Sequence, residues 1–130
     1  MGVVLLDTHV VHWWSAEPER VTPTARKALE DADELAVAAI SWFELAWMAR
    51  HERITLNIPI RSWLEGLAAQ VRTLGVTPAI ADTAVALPSS FAGDPADRLI
   101  YATAVEHDLR LVTKDRSLLD HPHPRSPAVW

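Results

Sequence analysis

Cysteine is missing from all 130 residues, which excludes disulfides and thiolate metal sites alike. Also missing is any apolar run near the roughly 18–20 residues needed to span a bilayer. Residues 1–14 lack the basic start and small-residue cleavage site of a secretory signal, because the apolar run at 3–6 meets Asp7 at once. A soluble cytoplasmic protein without a membrane partner is therefore expected. Basic surplus is absent too: 12 Lys and Arg stand against 17 Asp and Glu, giving a net charge of −5. A module that grips nucleic acid by general electrostatics is usually basic, so passive binding is disfavoured. An enzyme that gathers carboxylates around a metal is compatible with the deficit. No internal repeat, low-complexity tract or linker interrupts the chain, and one domain over 1–130 is expected.

What remains is ordinary globular composition, 49% hydrophobic and 22% charged. Short apolar runs at 3–6 and 35–38, and a third at 111–113 that ends in Thr113, suit strands buried on both faces, as in parallel sheets. A helix is expected over 9–15, closed near Glu17 and Pro18. Thr22 and Pro23 read as N-cap and first residue of a helix to about 32. Ser41, with Glu44 three residues on, reads as a capping box opening a helix to about 52. Pro59 opens a further helix to 74, ended near Gly75, and 76–77 is a minimal strand. After Pro78 a helix spans 79–87, and a loop of small residues fills 88–93. Asp94 and Pro95 cap a helix to 107, and the proline-rich tail ends in a candidate edge strand at 128–130. The alternation of strand and helix predicts a layered α/β fold with a mainly parallel sheet.

Two of these strands end in aspartate: the first runs directly into Asp7, and the third reaches Asp115 through Lys114. Glu44 falls in the first turn after the second strand, and Asp97 in the first turn of the helix before the third. In open parallel sheets ligands bind beyond the carboxyl ends of the strands, so all four acids can meet at one edge. Gathering them is unfavourable without a counter-charge, since like charges raise one another's pKa values. Mg²⁺ or Mn²⁺, hard ions that prefer oxygen, remove the repulsion. Such ions can activate a water, orient it in line with a phosphodiester and stabilise the leaving oxygen. Each acid also has a local explanation: turn residue for Asp7 and Asp115, capping box for Glu44, helix N3 for Asp97.

Three blocks carry a resemblance: VVLLDTHVVHWW, AISWFELAWMARHERI and GDPADRLIYATAVEHDLRLVTKD. In order and spacing they resemble PIN-domain toxins of the VapC type. The resemblance implies a three-layer α/β/α sandwich and metal-dependent cleavage of RNA. It also implies a homodimer and a cognate antitoxin that silences the enzyme by covering the acidic site. Carried over by position, the catalytic and metal-holding acids are Asp7, Glu44, Asp97 and Asp115. Asp94 stands as a fifth candidate that its capping geometry also explains. Thr8 and Thr113 flank the strand-end acids and can orient them. His9 replaces an asparagine common in the family, which leaves its contribution open.

Other features weigh less. His9 with His12, and His121 with His123, suggest zinc, but without cysteine solvated surface histidines are the better account. Of the six tryptophans, most suit core packing, whereas Trp47 with Met48 suits an interface or an RNA base. Arg50, Arg53, Arg98, Lys114 and Arg116 lie nearest the expected cleft and are candidates to hold phosphate. Two rival readings remain: a Mg²⁺-dependent phosphatase or phosphoacceptor on a doubly wound sheet, and a PIN-like module that only binds a partner. Against the phosphatase, Asp7 is followed by Thr8 and His9 and not by a second acid.

Overall fold

A computed structural model describes residues 2–91 and 93–130. Met1, at the start of the segment read for a signal, and Ala92, in the loop expected over 88–93, lie outside the described residues. The elements run β1 (Val3–Leu6), α1 (Thr8–Ala16), α2 (Pro23–Asp31), β2 (Glu34–Ala38), α3 (Ala39–Arg50), α4 (Ile60–Ala68) and β3 (Arg72–Leu74). They continue as α5 (Pro78–Ala86), α6 (Pro95–His107), β4 (Arg110–Val112), α7 (Arg116–Leu119) and β5 (Ala128–Val129). The strands form one sheet in the order β3-β2-β1-β4-β5, and every pairing is parallel.

The apolar strands are buried on both faces because successive side chains point to opposite sides. Val4, Leu6, Val37 and Val112 face one way, into a core with Val10 and Val11 of α1, Leu29 of α2 and Leu45 of α3. Leu5, Ala36, Ala38 and Leu111 face the other way, against Ile100, Tyr101 and Ala104 of α6 and Leu118 of α7. Helix α5 packs outside α6 through Ile80, Ala84 and Ala102. The result is the expected three-layer sandwich. Connections leave β1 toward β2 and β3 on one side, while β4 and β5 lie on the other. The carboxyl ends of β1 and β4, neighbours in register at Leu6 and Val112, therefore border the crevice at a topological switch point.

Three local expectations are corrected. Helix α3 begins at Ala39 with Ala38 as an N-cap lacking a side-chain bond, so Ser41 caps nothing and Glu44 lies a full turn inside the helix. The helix expected through 74 stops at Ala68, and Arg72–Leu74 instead pairs with Ala36–Ala38 as β3, which replaces the strand expected at 76–77. The turn from Lys114 to Ser117 that offered a local explanation of Asp115 is instead a short helix, α7, capped by Asp115.

Candidate metal and phosphodiester site

Asp7 follows β1 as N-cap of α1 and is 7% exposed. Its Oδ1 accepts the Thr8 backbone N–H at 2.7 Å, and its Oδ2 accepts the Thr113 hydroxyl at 2.6 Å. Thr113 Oγ1 in turn accepts the Asp115 N–H at 3.0 Å, which ties the ends of β1 and β4 together. Asp115 Oδ1 accepts both the N–H and the hydroxyl of Ser117, at 2.9 and 2.6 Å. That fixes one carboxylate oxygen and leaves the other for a ligand.

Glu44 is aimed at the same crevice from α3. The Thr8 hydroxyl donates to Glu44 Oε1 at 2.6 Å and lies 2.9 Å from Ser41 Oγ. A hydroxyl has one proton to give, so Ser41 supplies the proton of the second contact. Ser41, fully buried, is thus a support for the acid and not a helix cap. Sequence reading missed this role, although Ser41 and Glu44 stand one helical turn apart and therefore share a face. Asp94 and Asp97 form a reciprocal capping box on α6: Asp94 Oδ1 accepts the Asp97 N–H at 2.9 Å, and Asp97 Oδ2 accepts the Asp94 N–H at 3.3 Å. Gly93 permits this packing, because a Cβ there would meet Asp97 Cβ at 2.6 Å and the Phe91 ring at 2.7 Å.

All five carboxylates, those of Asp7, Glu44, Asp94, Asp97 and Asp115, line one cavity of about 430 Å³. Its wall also carries His9, Trp13 and Lys114. Burial pushes the carboxyls of Asp7 and Glu44 above their usual range, and their threonine hydrogen bonds only partly offset it. Asp97 is pushed up to about 7, first by desolvation and then by the charges of Asp94 and Asp7. Oxygen donors at this density, disfavoured as anions, suit a hard divalent cation. As they stand, no three acidic or histidine side chains among the described residues are drawn in closely enough to chelate one. A cation such as Mg²⁺, which takes oxygen ligands and keeps several waters, would suit this lining.

The bases expected near the cleft divide. Lys114 lines the acidic cavity and Arg53 an adjoining one. Arg98 turns away to cap α5 and its loop, donating to the carbonyls of Ala84, Leu87 and Pro88 at 3.0–3.2 Å. Arg116 pairs with Asp120 at 3.0 Å. The tail histidines are not simply solvated. His121 packs edge-on against Phe91 and Tyr101, and His123 lies against Tyr101. Among the tryptophans, Trp13 is 9% exposed and Trp47 is 41% exposed.

The family model of the PIN domain matches residues 4–123, which hold most of β1, all of β2, β3 and β4, and all five acids. The chain belongs to the PIN-domain family. This PIN domain is 68% identical, over the full length of both chains, to Ribonuclease VapC22 of Mycobacterium tuberculosis, and it falls among the VapC ribonucleases. Its fold matches a solved toxin-antitoxin complex from Klebsiella pneumoniae at TM-score 0.71 and 23% identity, covering 98% of this chain and 96% of that one. DNA-bound VapBC from Salmonella typhimurium matches at TM-score 0.71 and 20% identity, covering 98% of both chains. Those two likenesses bear on fold alone. Membership sets aside the phosphatase reading. Among the described residues, no helix of this PIN domain is long and apolar enough to cross a membrane.

Proposed function

We propose that this chain is the ribonuclease toxin of a toxin–antitoxin pair. In this reading Asp7, Glu44, Asp97 and Asp115 hold Mg²⁺ or Mn²⁺ for endonucleolytic cleavage of RNA. The observation that carries it is the convergence of five carboxylates on one cavity in a full-length relative of a VapC ribonuclease. When bound, the cation supplies positive charge and Lewis acidity where the phosphodiester gains negative charge.

The chain's own residues do the rest. Thr113 and the Thr8 N–H fix both oxygens of Asp7, so its orientation is set before any ligand arrives. Thr8, itself held by Ser41, fixes one oxygen of Glu44, Oε1. Asp94, engaged by its cap, positions Asp97 and adds negative charge to the cavity. Free of metal, the Asp97 carboxyl is pushed up to about 7, and a bound cation would draw it back down. One domain, residing in the cytoplasm, is enough for this chemistry. Exposed Phe43 and Trp47 beside the cavity, and Ile58, Val76 and Val85 elsewhere, suit burial by an antitoxin and a second copy of the chain.

The test is cleavage of RNA with Mg²⁺ or Mn²⁺, its arrest by EDTA, and the Asp7→Asn variant. Asp7→Asn keeps the shape of the side chain and removes its charge, so cleavage should fall by about a hundredfold or more while the fold survives. Cleavage by Asp7→Asn at the parent rate would defeat the assignment.

A further inference from the structure

Two cations stand along the acidic trough, and each rests on a tryptophan. Lys114 Nζ lies 5.4 Å from the ring centroid of Trp13, and Arg53 Cζ lies 5.1 Å from that of Trp47. Lys114 lines the acidic cavity, while Arg53 lines an adjoining cavity of about 370 Å³. Thr8, His9, Glu44 and Asp94 line both cavities, so the two form one trough with the acids between the cations.

Local structure holds both cations in place. Glu52 adopts a left-handed backbone at φ 59°, and the Arg53 N–H bonds the Met48 carbonyl at 2.9 Å. That reversal after α3 folds Arg53 back onto Trp47, whose ring is also stacked by His51 at 3.9 Å. Lys114 is carried between Thr113 and Asp115, both hydrogen-bonded within the site. A lysine beside five carboxylates would ordinarily collapse onto one of them. Here neither Lys114 nor Arg53 forms an ion pair among the described residues, and the indole faces take that place.

An acidic chain that cuts a polyanion has a second problem besides the scissile bond. A cation at the acids answers the phosphate being cut, but the phosphates on either side still meet a protein of net charge −5. We propose that Lys114 and Arg53 hold the backbone phosphates flanking the scissile one, on opposite sides, in the RNA strand being cut. This rests on the nuclease reading above. Phosphate contacts of this kind position the strand without reading its bases.

The test is steady-state cleavage of a short single-stranded RNA with Mn²⁺, over a series of salt concentrations. Lys114→Met and Arg53→Met should each raise KM by about five- to tenfold and leave kcat near the parent value. Each should also flatten the salt dependence of log kcat/KM by about 0.7–1. The effects should multiply in the double variant, and Lys114→Arg and Arg53→Lys should restore most of the affinity. Arg125→Ala, an exposed cation beside the amino ends of β4 and β5, should change neither quantity. Parent KM and salt slope in either Met variant would overturn the proposal and leave the nuclease reading intact. So would a fall in kcat without a rise in KM. If Arg53→Met weakens antitoxin binding but leaves the RNA parameters untouched, that arm is a protein contact and the proposal fails. A parent protein that neither binds nor cuts RNA would remove both readings.

Discussion

At the scale of single residues, the site depends on hydroxyls that hold carboxylates in place. Thr113 bridges Asp7 and Asp115 while itself fully buried, so removing its hydroxyl strips a donor from a charge that burial already disfavours. Thr113→Val should raise the Asp7 carboxyl further and lower divalent-cation affinity by about tenfold. Its activity–pH profile should shift to the alkaline side, which a titration of rate against pH would show. The roles of Thr8 and Thr113 were legible from their places beside strand-end acids. That of Ser41 was not, because Ser-x-x-Glu spells a capping box whenever the helix is assumed to begin there. In the structure the chain is already helical from Ala39, and the same serine faces inward to Thr8.

Asp97 supplies a second prediction at this scale. Its carboxyl rises from 3.8 to about 7, so the folded metal-free protein binds that proton more tightly than the unfolded chain does. The stability this contributes is complete below the unfolded value and is lost as pH rises through about 7. Metal-free Asp97→Asn should therefore melt a few degrees above the parent at about pH 8 and near it at about pH 4. The group is partly exposed, which keeps the effect small. Added Mg²⁺ should reverse the order at the higher pH, because only the parent regains a ligand for the charge. Thermal melts with and without EDTA at the two pH values check both halves.

At the scale of elements, caps and turns decide where the acids point. Asp7, Asp94 and Asp115 are each an N-cap, so a local structural role and a place in the site coexist in one side chain. Helix α6 ends on Asp108 with a left-handed backbone at φ 52°, and the Leu109 N–H reaches back to the Ala104 carbonyl at 2.9 Å. Glycine adopts that conformation without strain, and an acid there also opposes the helix dipole. Asp108→Gly should stabilise the protein by about 0.5–1 kcal/mol in denaturant unfolding and leave cleavage unchanged. Most elements could be read from apolar runs and Pro or Gly punctuation. The stretch 69–77 could not, since the helix pattern runs on past Ala68 while the edge of β2 claims Arg72–Leu74 as a strand. Pairing with a distant strand leaves no mark in local periodicity.

At the scale of the whole molecule, the parallel sheet is what turns a scatter of acids into a site. Asp7 and Asp115 come together because β1 and β4 are paired neighbours, and Glu44 joins them because β2 flanks β1 on the other side. That juxtaposition was expected from strand-end placement alone. The tryptophan seats of Lys114 and Arg53 were not, since ring contacts across elements have no signature along the chain. The most direct test of the account is calorimetric titration of the metal-free protein with Mn²⁺ at about pH 7, comparing the parent with Asp7→Asn and Glu44→Gln. The account predicts saturable binding by the parent with release of protons, weakened by about tenfold or more in each variant. No binding by the parent, or binding by both variants as tight as the parent's, would contradict it.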